Sequence, residues 1–191
     1  NILNLTAAIA GLHCQGFEME KLIEACLDVK QVDGRMERVE NELGIDLIVD
    51  YAHTPDGLQN ILETAKAIKE NRIIIVFGCG GDRDATKRPI MGRIAAEYGD
   101  KIYVTSDNPR TEDPVQIVKD VEVGVKEALR DGTSYEVIVD RREAINHAIH
   151  DAKAGDIVII AGKGHENYQI LKNETIHFDD REEARKALKE I

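Results

Sequence analysis

The chain has 191 residues, of which 42% are hydrophobic and 32% charged, and its formal net charge is −11. This composition is that of a soluble globular protein of roughly one or two domains and excludes a disordered chain, and no apolar run approaches the ~20 residues that span a bilayer. Nucleic acid is disfavoured as a partner, because binding it requires a cationic surface, though a small anion in a local basic pocket is allowed.

Asn1-Ile2-Leu3-Asn4 has no basic stretch leading into an apolar one, so no secretory signal is read there and a cytoplasmic protein is expected. The first residue is not methionine, which makes an excised fragment the expectation. Leu5, Ile9 and Leu12 predict one helix, and Met19, Leu22, Ile23 and Leu27 a second; Gly34-Arg35 ends the pattern. Two helices cannot bury their apolar faces alone, so residues 1–34 are expected to pack on the rest of the chain or on something outside it. They are set apart from a second unit, residues 35–191.

From Ile45 onward, β-rich runs alternate with helical ones. Leu47–Tyr51 is the first strand, and Thr54-Pro55-Asp56 opens a helix with proline at its first position. Ile73–Phe77 is continuously apolar, as a strand buried on both faces would be. A helix follows around Pro89–Tyr98, then a strand at Lys101–Thr105, a helix from Pro114 to Leu129, and a strand at Tyr135–Val139. A helix at Arg142–Ala152 precedes the apolar strand Ile157–Ala161, and Thr175–Phe178 is a short last strand before a closing helix, Asp180–Leu188. Alternation of this kind predicts an α/β fold, a Rossmann-like, doubly wound and mostly parallel sheet of about six strands, with the last strand a candidate to run antiparallel.

In such a sheet, ligands bind beyond the carboxyl ends of the strands. Four loops there carry the unusual residues: Asp50, Tyr51, His53 and Thr54; Gly78 to Asp84 with Lys87 and Arg88; Asp107-Asn108-Pro109-Arg110; and Gly162-Lys163-Gly164-His165-Glu166. The glycine loop is not a dinucleotide fingerprint, since position 83 is arginine, and the GxxxxGK[ST] spacing of a P-loop is absent. Taken singly, each loop reads as an ordinary turn. Asp82 and Asp84 alternate with Arg83, so ion pairing within the loop is expected before magnesium binding. His147 and His150 read as surface residues and His13 and His177 as structural, leaving His53 and His165 as the functional candidates. Cys14, Cys26 and Cys79 are odd in number and form no CxxC pair, which predicts reduced, mostly buried thiols and no zinc site. Arg83 and Arg110 offer planar forks for carboxylates, Asn108 a neutral donor and acceptor, and Glu166 an anion for an ammonium group. Together they suit a zwitterionic amino acid, above all one with a second carboxylate-and-amine end.

The runs Asp50-Tyr51-Ala52-His53-Thr54-Pro55-Asp56, Gly78 to Asp84, Lys87-Arg88-Pro89, Asp107 to Arg110 and Gly162 to Glu166 resemble the Mur ligase family, within it the branch that adds the third peptide residue. The resemblance runs from about Asn4 to the end. It implies a three-domain ligase, of which this chain holds the end of the central ATPase domain and the whole Rossmann-like third domain. It implies ATP and Mg2+ as cofactors, bound mainly by the upstream domains, and a UDP-muramoyl dipeptide and meso-diaminopimelate as substrates. It places Arg83, Asp107, Asn108, Pro109, Arg110, Gly162 and Glu166 on diaminopimelate and Arg35, Asp50, His53 and Thr54 on ATP, with no catalytic residue in this part. Lysine or lanthionine as the added amino acid, a non-catalytic module for an acidic metabolite, and an NAD-dependent enzyme are the competing readings.

Overall fold

A computed structural model describes residues 2–191; Asn1, the first residue of the expected helical unit, lies outside the described residues. Helices α1 (Ile2–Cys14) and α2 (Met19–Ala25), with a 3₁₀ turn at Cys26–Asp28, come first. The rest runs β1 (Glu37–Arg38), β2 (Asp46–Asp50), α3 (Pro55–Ile68), β3 (Ile73–Phe77), α4 (Lys87–Tyr98), β4 (Lys101–Val104) and α5 (Pro114–Ala128). It closes with β5 (Ser134–Val137), α6 (Arg141–Asp151), β6 (Ile157–Ala161), β7 (Tyr168–Ile170), β8 (Thr175–His177) and α7 (Asp180–Leu188).

The helices start where the sequence supplies caps. Thr54 accepts the Gly57 N–H at 3.1 Å with Pro55 next in line. Asp113 caps α5 in the same way ahead of Pro114, and Asp140 and Asp179 cap α6 and α7. One sheet of six strands has the order β1-β2-β6-β3-β4-β5, with β2 to β5 and β6 all parallel and β1 antiparallel to β2. The antiparallel member of this sheet is thus Glu37–Arg38; the strand expected at Thr175–Phe178 does run antiparallel, but against β7 in a separate two-stranded hairpin, and only its place in the main sheet is corrected. Glu37–Arg38 is too short and too polar to signal a strand. It is held as an edge, with Glu37 opposite Val49 and Arg38 opposite Ile48.

Period-two alternation divides the core. Ile73, Ile75 and Phe77 face α3, α4 and α5 with Leu58, Leu62, Met91 and Val121, while Ile74 and Val76 face α6 and α7 with Ile145, Ile149 and Ala184. The chain moves outward from β3 to β5 with its helices on one face, then returns to β6 between β2 and β3 with α6 on the other. Connections leaving β3 and β6 therefore diverge to opposite faces, opening a crevice at their carboxyl ends.

The N-terminal helices do not join this core. No residue of α2 is buried, and Leu3, Leu12, Phe17, Ile23 and Leu27 are exposed. Of the two fates expected for them, packing on the rest of the chain is not seen among the described residues. The expectation of mostly buried cysteines is corrected too: Cys79 is buried, Cys26 half-buried and Cys14 exposed, because α1 and α2 have nothing to cover them. Burial pushes the Cys79 thiol up to about 12, so it is an inert packing group.

Candidate functional site

The crevice holds a cavity of about 430 Å3 whose lining includes Arg83, Asn108, Arg110, Gly162, Glu166 and Tyr168. Four rim loops build it, and they are laced together backbone to backbone. The Gly81 N–H donates to the Asn108 carbonyl at 2.9 Å, and Arg110 Nη1 returns a bond to the Gly81 carbonyl at 2.9 Å. A Cβ on Gly81 would stand 2.0 Å from the Pro109 oxygen. The glycines of this loop therefore permit close approach to a neighbouring loop, beyond making a turn. Gly162 has φ +123°, and a Cβ there would meet Asp107 Oδ2 at 2.8 Å. Asp107 can lie against it only because that position is glycine.

Arg110 itself sits at φ +53°, a left-handed conformation that costs a non-glycine residue ~1–2 kcal/mol. Its N–H is fixed by the Ile170 carbonyl at 3.1 Å, and Ile170 in turn donates to Asn108 Oδ1 at 2.9 Å. Gln169 Nε2 reaches the Asp107 carbonyl at 2.7 Å. Strand β7 thus clamps the 107–110 loop and holds the strained arginine in the cavity wall. Among the described residues, only Nη1 of the Arg110 guanidinium is engaged, on Gly81 and, at 3.3 Å, Asn108. The other edge of the fork remains for a ligand. Arg83, exposed at the mouth, donates only to the Asp82 carbonyl, at 2.9 Å.

Asn108 lines the cavity and also bonds within the protein. Its amide is engaged within the protein: Nδ2 donates to Glu166 Oε2 at 3.0 Å and Oδ1 accepts from Ile170 N–H and, at 3.2 Å, from Lys163 Nζ. Its evident task is to orient Glu166. Lys163, fully buried, donates to the same Glu166 Oε2 at 3.1 Å. Both anchors hold one oxygen of this cavity-lining residue, and Oε1 has no hydrogen-bond partner among the described residues. Asp82 and Asp84 also correct the sequence reading. Their partners are Thr111 and Thr86, whose hydroxyl and N–H bonds hold both carboxyls below their usual value, with no ion pair to Arg83. Arg88 is buried on Glu112 and Asp120 and supports the loop from behind, while Lys87 lines the cavity with Nζ on the His53 carbonyl at 2.8 Å.

Of the residues expected on ATP, Arg35 stacks on the Tyr51 ring at 4.7 Å, and the rings of His53 and His165 lie 4.5 and 5.1 Å from Tyr51. His53 and Thr54 reach the cavity; Arg35 lines a separate hollow with Val29 and Val32. The Asp50 carboxylate accepts the N–H groups of Met36 and Ala52 at 2.7 and 2.8 Å, and the Thr54 hydroxyl is the α3 cap. His147, His150, His13 and His177 are all exposed, each within reach of a local partner. The residues that sequence reasoning missed are Lys163, Tyr168, Gln169 and the fully buried pair Arg141–Asp180, 2.8 Å apart. Arg141 also donates to the carbonyls of Ser106 and Ala161, just ahead of Asp107 and Gly162. Lys163 lay within a motif already singled out; the others carry no local signal.

A family model described as Mur ligase, glutamate ligase domain, matches residues 34–164. The chain is 54% identical over 189 residues to a UDP-N-acetylmuramoyl-L-alanyl-D-glutamate–2,6-diaminopimelate ligase of Gloeobacter violaceus and 50% identical to the protein of that name from Syntrophomonas wolfei. These alignments cover 98% and 99% of this chain and 38% of each relative, so the chain spans well under half of their length. A solved structure of a ligase with the same name superposes with a TM-score of 0.76 at 43% identity, covering 100% of this chain and 38% of that one. A cavity built from the Asp107–Arg110 and Gly162–Glu166 loops, the family match over most of the sheet and identities near one half over the whole chain agree: the chain belongs to the Mur ligase family.

Proposed function

We propose that this chain is the C-terminal, amino-acid-binding part of an ATP-dependent ligase that adds meso-diaminopimelate to UDP-N-acetylmuramoyl-L-alanyl-D-glutamate in peptidoglycan synthesis. The observation that carries the reading is the shared cavity of Arg83, Arg110 and Glu166: two guanidinium edges for carboxylates and one free carboxylate oxygen for an ammonium. Asp107, Asn108, Pro109 and Gly162 set the shape of that cavity and the angle of its charged groups. Diaminopimelate has a carboxylate and an ammonium at each end, which is what this wall complements.

The chemistry is divided. In the proposed reaction ATP phosphorylates the D-glutamyl carboxylate, and the free amine of diaminopimelate attacks that carbonyl carbon. Phosphate leaves with the C–O bond and the nitrogen gives up a proton. This chain's residues hold the nucleophile, and orientation of that kind accounts for roughly 7–11 kcal/mol of a barrier. Arg35, Asp50, His53 and Thr54 are assigned to the ATP side; Asp50 and Thr54, though bonded to N–H groups, each keep a further lone pair. Among the described residues no three His, Cys, Asp or Glu side chains stand together as a metal site. The donor set does not fit Mg2+, which is assigned to the upstream domains. No described helix is long and apolar enough to cross a membrane, and a cytoplasmic enzyme working with its own upstream domains is the corresponding proposal.

Arg110→Ala in the complete ligase tests the reading. The KM for diaminopimelate is expected to rise roughly 10- to 150-fold, the loss of a charge-assisted pair of ~1.5–3 kcal/mol, with little change for ATP. Equal effects on both substrates would count against the assignment. Lanthionine keeps both carboxylates and suits the same wall, so diaminopimelate, lanthionine and lysine belong in the same assay.

A further inference from the structure

Lys163 is fully buried behind the cavity wall, and its ammonium is partnered by three residues that line that wall, Asn108, Glu166 and Tyr168. One proton goes to Asn108 Oδ1 at 3.2 Å and one to Glu166 Oε2 at 3.1 Å, and the nitrogen lies 5.5 Å from the centre of the Tyr168 ring. A lysine ammonium has three donors, and here each has somewhere to point. The lysine side chain has no exposed surface, so its charge is held away from water. Nearby, Arg141 and Asp180 neutralise each other. The charge of Glu166 is thus already matched inside the protein before a ligand arrives.

From this geometry we propose that Lys163 is a specificity-determining residue that acts by its buried charge beside Glu166: it makes the cavity accept a distal end bearing both ammonium and carboxylate and reject one bearing ammonium alone. The proposal rests on the reading that the cavity takes a diamino acid. A zwitterionic end places its ammonium on Glu166 Oε1 and its carboxylate on Arg110, and the sum of charge in the floor does not change. The end of lysine adds one positive charge where Lys163 and Arg110 already balance the carboxylates of Glu166 and Asp107. Removing the buried ammonium leaves two carboxylates, Glu166 and Asp107, against the single Arg110 guanidinium, and that excess anion favours the lysine end and gains nothing for the zwitterionic one.

The test compares kcat/KM for meso-diaminopimelate and for L-lysine in the complete ligase, for wild type, Lys163→Met and Lys163→Arg, with folding followed by thermal unfolding. Lys163→Met is expected to lower the diaminopimelate-to-lysine ratio by about tenfold, the effect of ~1.4 kcal/mol in differential binding. Lys163→Arg, which keeps the charge, is expected to retain most of the ratio even where both rates fall. A lysine at 163 that merely props up the loop would lower both substrates by the same factor, and that result overturns the proposal. Should Lys163→Met not fold, Glu166→Gln with and without Lys163→Met asks the same question with no buried carboxylate left unpaired. The ratio is then expected to be higher where Lys163 is kept, and equal ratios overturn the proposal. A wild-type enzyme that does not use diaminopimelate in preference to lysine sinks the function proposed above, and this inference with it, before any variant is made.

Discussion

Two apolar regions of this molecule meet opposite fates. Leu3 and Leu27 in the N-terminal helices are 84% and 87% exposed, whereas each of the five residues Ile73–Phe77 of β3 is at 0%. Hydropathy does not separate them. What differs is company: β3 has β6 and β4 beside it and helices on both faces, while α1 and α2 have only each other. A side chain's burial is decided by the assembly around it, and the exposed Leu3, Leu12, Phe17, Ile23 and Leu27 would be covered only by further protein. Under the ligase reading, that protein is the upstream part holding ATP chemistry. The largest expected effect follows: the 191-residue chain alone makes no amide bond. Diaminopimelate-dependent ADP release by the purified chain would break the division of labour at once.

Within the body the comparison sharpens at Arg141 and Asp180, which are as buried as β3 yet charged. Breaking such a pair leaves an unpaired charge in the interior at a cost of about 3–5 kcal/mol. Arg141→Met is expected to lower the stability of the chain by that amount in urea unfolding, and Arg141→Met with Asp180→Leu to recover much of it. A single-variant cost below about 1 kcal/mol would show that the charges are solvated in solution.

These cases also show what could be read in advance. Ile73–Phe77 and Ile157–Ala161 were legible to the residue because an unbroken β-branched run has one comfortable place, the middle of a parallel sheet. The rim loops were legible because glycines and charges follow those runs directly. Lys163 was not, because a lysine is exposed by default and only its partners at 108 and 166 make burial tolerable. Strands β1 and β7 failed for a different reason. Glu37–Arg38 and Tyr168–Ile170 are too short for periodicity, and both are strands because of what they dock on. The antiparallel strand was sought at Thr175 for want of any signal at Glu37. For Arg141 and Asp180, 39 positions apart, no local pattern exists to be read.

A smaller effect concerns pH. Burial pushes the Asp156 carboxyl up, but hydrogen bonds from the Arg72 guanidinium and from the N–H groups of Lys153 and Arg72 outweigh it and hold the carboxyl below its usual value. A depressed folded-state value means the stabilisation is present above the ordinary aspartate range near pH 4 and is lost as pH falls through the folded value. Unfolding midpoints taken from about pH 6 to about pH 3 are expected to decline, and Asp156→Asn to flatten part of that decline. The ion pairs of the exposed helices offer no such handle: the Lys21–Glu18 pair is 76% and 66% exposed. An acid limb unchanged by Asp156→Asn would place the sensitivity elsewhere.

The smallest effect is the most pointed. Leu27→Ser removes a large apolar side chain, yet in this chain it should change unfolding by no more than about 0.5 kcal/mol, because Leu27 is in water before and after. In the complete ligase the same substitution is expected to cost up to about 1.5–3 kcal/mol, the value of a fully buried leucine, if the upstream protein covers it. A single residue, silent in one context and costly in the other, would locate the missing contact. A cost above 1 kcal/mol in the chain alone would mean that the helices fold back onto the body in solution, and the contrast between the two regions would disappear.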